Sequence, residues 1–324
     1  MQIQDKIYGT IEITEPVIID LINTANFQRL KRISQDGAAH FIQPQRNVTR
    51  FEHSVGAWYL SMRYKRSIEE QIASLLHDIS HTAFSHVIDL VVKSHDYGYA
   101  DSKLNAMIMD SPIPEIIKSH GFDLTKVLDK SHYPLLDNSL PDLSVDRWDY
   151  FMRDAYAIGF LPKQLIEDFL NNISEKDNIF YFKDLRLAST FAILFANCSR
   201  LIWLDPTAHG AFFLLSKAIA TAFEKGIISE DDFFSDDETL LNKIKAAQNS
   251  QVEKFLARLV PGNEFVYTEQ SKAEFFGPNK PRFVNPFVEQ AGSLVRIADL
   301  VPSLKYFFEE FTEKYKQIGV RQLD

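Results

Sequence analysis

The stretch from residue 72 to residue 90, IASLLHDISHTAFSHVIDL, constrains the fold more than any other part of the chain. Ile72, Leu75, Leu76 and Ile79 recur at i, i+3, i+4 and i+7, the spacing of a helix that buries one face. His77, Asp78, His81, His86 and Asp89 crowd into the same window, so the titratable groups begin where a buried helix ends. Such groups are costly to bury unless they are paired or bound to a metal. The cluster points to a metal site; histidines each satisfied by a backbone carbonyl are the alternative reading.

No Gly/Ser/Pro-rich linker divides the 324 residues, which predicts one large domain with a C-terminal elaboration. Hydrophobic residues make up 45% of the chain, 26 of them Phe, enough for a substantial core and too many for disorder. The apolar runs 191–195 and 210–215 are too short to span a bilayer, and no basic-then-apolar leader opens the chain, so no membrane partner is expected. Cys198 is the single cysteine, which excludes an internal disulfide and fits a reducing, cytoplasmic setting. A net charge of −9 argues against an extended nucleic-acid surface. It leaves room for a local basic pocket that takes a phosphorylated small molecule.

Read in order, Ile7, Ile11 and Ile13 predict a short strand or hairpin, and Glu15-Pro16 starts a helix where proline is tolerated. Residues 34–50 lose all periodicity and, with Gly37, Pro44 and Asn47, read as a long loop. A helix over 52–64 carries His53 in its first turn. After the polar stretch 94–103, helices are predicted near 104–109, twice within 113–140, and over 162–173. In LSVDRWDYFMRDAYAIGF, residues 143–160, Asp146, Asp149 and Asp154 alternate with aromatics and with Arg147 and Arg153. Taken alone, that pattern also suits an amphipathic helix laced by i, i+4 ion pairs. NIFYFKDL, residues 178–185, is the best strand candidate. Long helices follow over 188–202 and 208–225, Ser235 with Glu238 reads as a capping box, and the tail from Val301 looks helical and surface-lying.

His77 and Asp78 are neighbours, and on a regular helix their side chains diverge by about 100°, so they can share an ion only from a helix edge or end. Further ligands must come from other helices, and His53 and Asp146 are the natural candidates. Two imidazoles and two carboxylates suit a divalent ion of the Mn, Fe, Ni, Zn or Mg class with open positions. Such positions can activate water or hold a phosphate oxygen.

RFEHS at residues 50–54, HDISH with FSH at 77–86, and VDRWDYFMRD at 145–154 resemble the RFEHS, HD(L/I)xHxxFSH and VDKxDYxxRD motifs of HD-domain phosphohydrolases. Within that superfamily they resemble the branch of deoxynucleoside triphosphate triphosphohydrolases that includes the sterile-alpha-motif and HD-domain protein. DKIYGTIEI and NFQRLKRISQDG extend the likeness towards the start, and the segments after residue 160 carry it more loosely. The resemblance implies a mostly α fold: an HD-domain helical bundle with a small β-hairpin and a C-terminal α/β elaboration. Residues 1–175 would form the HD core, with 176–324 a largely helical elaboration packed on it.

It also implies residue roles. His53, His77, Asp78 and Asp146 would bind the metal; Gln35, Arg50, Arg147, Tyr150 and Asp154 would meet substrate; His81 and His86 would face the phosphates, with Asp89 orienting an imidazole. The implied reaction is cleavage of a dNTP to deoxynucleoside and triphosphate. Hydrolysis of a nucleoside monophosphate or cyclic nucleotide, or a non-catalytic nucleotide-binding module that retains the metal site, are the alternatives, and a homo-oligomer is open. Three departures set further expectations. Asp101-Ser102 stands where the branch has a His-Glu pair, which would leave proton transfer to His81. Asp36 replaces a leucine and would repel a polyanion, favouring fewer phosphates, and LIWLDPTAH at 201–209 lacks the branch's basic residues.

Overall fold

The computed structural model describes residues 1–94 and 98–323; positions 95–97 of the polar stretch after the HD helix lie outside the described residues. Strands Gln2–Asp5 and Gly9–Glu12 form an antiparallel hairpin in which Ile3 faces Ile11. Pro16 opens the first helix, Pro16–Ile22, where its missing N–H costs nothing. The long polar loop is closed at its base: Gln35 N donates to Val48 O and Arg50 N to Ile33 O, at 2.9 Å each. Its last residue, Thr49, makes a reciprocal capping box with Glu52 and so launches helix Arg50–Arg63.

Helix Arg50–Arg63 packs against both Ile68–Leu76 and Val145–Ala157, so the segments bearing His53, His77 and Asp146 are neighbours. Behind Val145–Ala157 lies an aromatic wall: Trp148 stacks on Phe180 at 4.8 Å and Phe151 meets Phe191 edge-on at 4.9 Å. Phe191 belongs to helix Leu185–Cys198, which continues through a π-helical turn to Trp203. This continuous 19-residue helix is longer than the short apolar runs suggested and would reach across a bilayer by length. Its Ala188, Phe191, Ala192 and Phe195 are instead buried in the principal apolar cluster, which runs from Ile7 to Phe308. A second cluster gathers Phe84, Val87 and Ile88 under helix Pro206–Glu224.

The strand expected near 178–185 is half of a hairpin, Ile173–Lys176 with Ile179–Phe182, that joins Phe287–Gln290 and Ser293–Arg296 in a four-stranded sheet. The tail departs from expectation. After helix Pro302–Tyr315 the chain forms strand Gln317–Gln322, the centre of a three-stranded antiparallel sheet between Phe265–Tyr267 and Phe275–Pro278. Buried Ile318 and Val320 hold it there, and Leu304, Phe308 and Phe311 pin the helix inward. The capping expectation at Ser235 also shifts by one residue. Asp236 accepts from Thr239 N at 3.0 Å and caps Asp237–Ala246, because a carboxylate is the stronger acceptor, while Ser235 Oγ closes the preceding turn on Asp232 O at 2.6 Å.

The turn after the HD helix is strained. Phe84 and Ser85 hold φ of 57° and 50°, a left-handed conformation that non-glycine residues rarely adopt. Asp237 stabilises it by accepting from Phe84 N at 2.6 Å and Ser34 N at 2.8 Å, which ties the turn to the long loop. Replacing Asp237 by Ala strands both donors, and urea denaturation should show a loss of about 2 kcal/mol. An unchanged midpoint would mean that the turn is held by its other bonds.

Candidate metal centre

Helix Ile68–Leu76 ends with His77 as its C-cap, still helical in backbone, and at this helix end His77 and Asp78 reach a common point. His53 Nε2 lies 3.3 Å from His77 Nε2 and 3.1 Å from Asp146 Oδ1, and His77 Nε2 lies 3.4 Å from that same oxygen. Asp78 completes the ring, with Oδ2 3.5 Å from His53 Nε2 and Oδ1 3.5 Å from His77 Nε2. The other imidazole nitrogens are committed: His53 Nδ1 donates to Asp149 Oδ2 and His77 Nδ1 to Ser74 O, each at 2.8 Å. Nε2 is thus the nitrogen each ring has left for the centre, and in the neutral tautomer that a metal ligand needs it presents a lone pair there. Two such lone pairs beside two carboxylates fit a divalent cation.

The electrostatics agree. Burial opposes ionisation of Asp78 and Asp146, yet His77 and Arg50 hold Asp78 well below the usual carboxylate range, and His53 and His77 hold Asp146 far below it. Burial also disfavours a charged His53, but hydrogen bonds to Asp146 and Asp149 outweigh it and push the ring up to about 10. A potential that raises an imidazole so far also attracts a cation.

Behind the ring, Asp149 is fully buried. It accepts from Tyr8 OH at 2.8 Å and from Arg153 Nε at 3.0 Å and Nη2 at 2.9 Å, and Arg153 Nη1 reaches Asp5 at 2.9 Å. Gly56 makes this possible: a Cβ there would stand 1.8 Å from Asp149 Oδ1. The Asp149–Arg153 spacing was visible in the sequence as an i, i+4 pair, but its service to His53 was not.

The ring opens into a cavity of about 300 Å³. Arg50 enters it with Nη1 2.5 Å from Asp78 Oδ2 and Nε 2.9 Å from Ser85 Oγ. Gln35 Nε2 donates to Asp154 Oδ1 at 3.1 Å, and Trp203 Nε1, a group the sequence reading passed over, donates to Asp154 Oδ2 at 2.9 Å. Burial and the neighbouring Asp36 push the Asp154 carboxyl up to about 7. The Tyr150 ring meets Trp203 edge-on at 5.1 Å, and the Arg282 guanidinium lies 5.6 Å from both rings. His81 Nε2 is 3.4 Å from Asp78 Oδ1, its ring packs edge-on against His86 at 5.1 Å, and His86 Nδ1 is 3.0 Å from Asp89 Oδ2. Burial and Arg50 push His81 down to about 4.

Some expectations change. Arg147, expected to meet substrate, does not line the cavity: its guanidinium is taken up by Asn138 Oδ1 at 2.9 Å and Asn138 O at 2.8 Å, stapling the preceding loop. Asp36 is paired with Arg46, which also reaches Asp205 and Ile202 O, so its charge is compensated where the sequence suggested repulsion. Asp101 is paired with Lys130 at 3.3 Å. Cations missing from residues 201–209 come from other segments, since Arg46, Lys130, Lys280 and Arg282 all line the cavity.

The HD domain matches over residues 50–154. YdhJ, an uncharacterized protein of Bacillus subtilis, is 34% identical over 89% of this chain and 88% of its own length. The chain belongs to the HD-domain phosphohydrolase family. A metal-dependent phosphohydrolase of Cordyceps militaris, cns2, is 29% identical over 79% of this chain and 76% of its own. The bovine deoxynucleoside triphosphate triphosphohydrolase SAMHD1 is 28% identical over 55% of this chain and 39% of its own. Among solved structures, a phosphohydrolase of Bacteroides thetaiotaomicron superposes with a TM-score of 0.72 at 20% identity, covering 99% of this chain and 98% of its own. At that identity the likeness is one of fold: the HD helices stand in a shared architecture.

Two outcomes are expected of this site. Gly56→Ala displaces Asp149 from His53 and should weaken binding of a divalent cation by roughly 10- to 100-fold in a calorimetric titration; an unchanged affinity would separate Asp149 from the ring. The raised carboxyl of Asp154 makes a stability contribution that is full below its ordinary 3.8 and is lost as pH rises through about 7. The melting temperature of wild type relative to Asp154→Asn should accordingly fall across that interval, and a flat difference would show an ordinary carboxyl.

Proposed function

We propose that this metal-dependent phosphohydrolase acts on nucleotides, in its most specific form cleaving a dNTP to deoxynucleoside and triphosphate. One observation carries the reading: His53, His77 and Asp146 gather their ligand atoms within 4.8 Å of one another, Asp78 stands beside them, and this ring opens into a cavity lined by cations and by the polar and aromatic side chains of Gln35, Asp154, Tyr150 and Trp203. A divalent cation held by those four residues supplies Lewis acidity towards a phosphoryl oxygen. Arg50, kept in place by Ser85 and Asp78, directs its charge at phosphate oxygens, with Lys130 and Arg282 further along the wall. Tyr150 covers a sugar face, and Asp154 with Gln35 is the pair to bond a sugar hydroxyl.

Water and the leaving oxygen are handled by the two histidines. Burial and Arg50 keep His81 neutral, and its buried Nδ1, without a partner among the described residues, is an acceptor that orients water by a hydrogen bond. His86, fixed through Nδ1 by Asp89, is the group to protonate the leaving oxygen. Asp101, bound to Lys130, has no part in that transfer.

The same Lys130–Asp101 pair favours a second reading. A cation already compensated by a carboxylate adds little attraction for a third phosphate, which suits a nucleoside monophosphate or cyclic nucleotide. Turnover of a dNTP, a dNMP and a cyclic nucleotide in the presence of Mn, Fe, Ni, Zn or Mg, read as released nucleoside and phosphates, decides between them. Asp78→Ala should remain folded and lose measurable turnover and bound metal. Absence of turnover on every nucleotide, or full activity in Asp78→Ala, would sink the proposal.

A further inference from the structure

Four polar atoms of residues that line the cavity are buried and have no partner among the described residues: Gln35 Oε1, His81 Nδ1, His209 Nε2 and Asn279 Nδ2. Natural structures pair almost all such atoms, so a wall that leaves them bare suits a ligand that supplies their partners. Gln35 and His81 belong to the site described above, whereas His209 and Asn279 have no role in it.

Their hydrogen-bonding roles are determined by what surrounds them. Asn279 Oδ1 accepts from Lys280 N at 3.0 Å, which orients the amide and leaves Nδ2 as a free donor. Asn279 N donates to Lys316 O at 2.8 Å, tying its segment to the central strand of the C-terminal sheet. His209 sits in the first turn of Pro206–Glu224, and its ring is hydrogen-bonded to the Trp203 backbone. Burial and Arg46 hold it down to about 4, so the ring is neutral and its bare Nε2 is an acceptor. The wall thus offers one acceptor from a helix start and one donor from a sheet-anchored segment. Trp203, Phe212 and Phe275 line the same cavity and give it flat apolar surface.

We propose that His209 and Asn279 form the base subsite of the cavity, reading a donor and an acceptor on the edge of a nucleobase that packs against the aromatic walls. Each nucleobase presents such adjacent groups, whereas a sugar phosphate or inorganic polyphosphate has no planar edge to match. The inference rests on the nucleotide reading above and adds the residues that recognise the base. None of the motif residues does this, and Asp146, Tyr150 and Asp154 face the metal and sugar parts of the same cavity.

The test is steady-state hydrolysis of dATP, dGTP, dCTP and dTTP by the metal-loaded full chain, with inorganic tripolyphosphate as a base-free competitor. His209→Leu and Asn279→Leu should each raise the KM for at least one nucleotide about ten-fold, with a smaller change in kcat. Inhibition by tripolyphosphate should stay at the wild-type value, which a general collapse of the site would not allow. Asn279→Asp keeps the shape and turns a donor into an acceptor, so it should reorder the preference among the four bases; His209→Gln, which keeps an acceptor, should retain more affinity than His209→Leu. Nucleotide turnover with wild-type KM values and base order in all four variants overturns the subsite and leaves the proposed function standing. Failure of the wild type to bind or hydrolyse any nucleotide overturns both.

Discussion

The carboxylate of Asp149 is the fixed point on which the metal-ligand ring depends. It holds His53 by Nδ1 and is itself held by Tyr8 and Arg153, with Asp5 bound to the far side of Arg153. This places the N-terminal hairpin, helix Arg50–Arg63 and helix Val145–Ala157 under one constraint. A buried pair of this kind is weak evidence of net stability, since dehydrating its charges offsets most of the attraction. Its effect is on geometry: removing any partner leaves an uncompensated buried charge, so His53 has one orientation available. Gly56 belongs to the same constraint, because only a residue without Cβ lets the carboxylate approach the neighbouring helix.

Charge compensation runs through the rest of the cavity. Once both ring imidazoles are neutral, as metal ligands must be, Asp78 and Asp146 carry two negative charges against the single positive charge of Arg50. A divalent cation converts that excess of one negative charge into an excess of one positive. At an effective dielectric near 20, a unit charge 4 Å away is worth about 4 kcal/mol, so this reversal is large enough to govern whether a phosphate enters. Arg46 between Asp36 and Asp205, and Lys130 beside Asp101, are compensated cations, whereas Arg282 faces the Tyr150 and Trp203 rings. The cavity's attraction for anions is therefore shared between the ring and the Arg282 side of the wall.

The parts facing that ring gain rigidity from different sources. The left-handed turn at Phe84 and Ser85 is held by hydrogen bonds donated to Asp237 and to Ser34 O and by one received from Arg50. Helix Val145–Ala157 is held by packing, with Trp148 and Phe151 against Phe180 and Phe191. The π-helical turn ending at Trp203 delivers an indole N–H to Asp154 from a helix whose other face is core. The strained turn at Phe84 and Ser85 thus stands at the edge of the site, and the aromatic core supports the facing helix from behind.

By itself the sequence determined a mostly helical chain of the HD family and which residues compete for its centre, since periodicity, caps and the His-Asp doublet are local signals acting over a few residues. The proline start at Pro16 and the end of a helix at His77 were readable in this way, whereas the capping box at Thr49 was passed over and the cap expected at Ser235 moved to Asp236. Tertiary structure decided what lies beyond that range. Asp149 reads as one more acid on an amphipathic helix until the packing of three segments turns it towards His53, and Arg147 reads as a substrate group until the loop at Asn138 claims it. Lys130, His209 and the segment carrying Asn279 and Arg282 reach one cavity from three distant stretches, and Gln317–Gln322 becomes a central strand only because two other strands flank it. The physical reason is common to all of these. Local rules act between neighbours on one element, whereas burial and long-range pairing set which side chains from remote segments share a space, and no spacing along the chain encodes that.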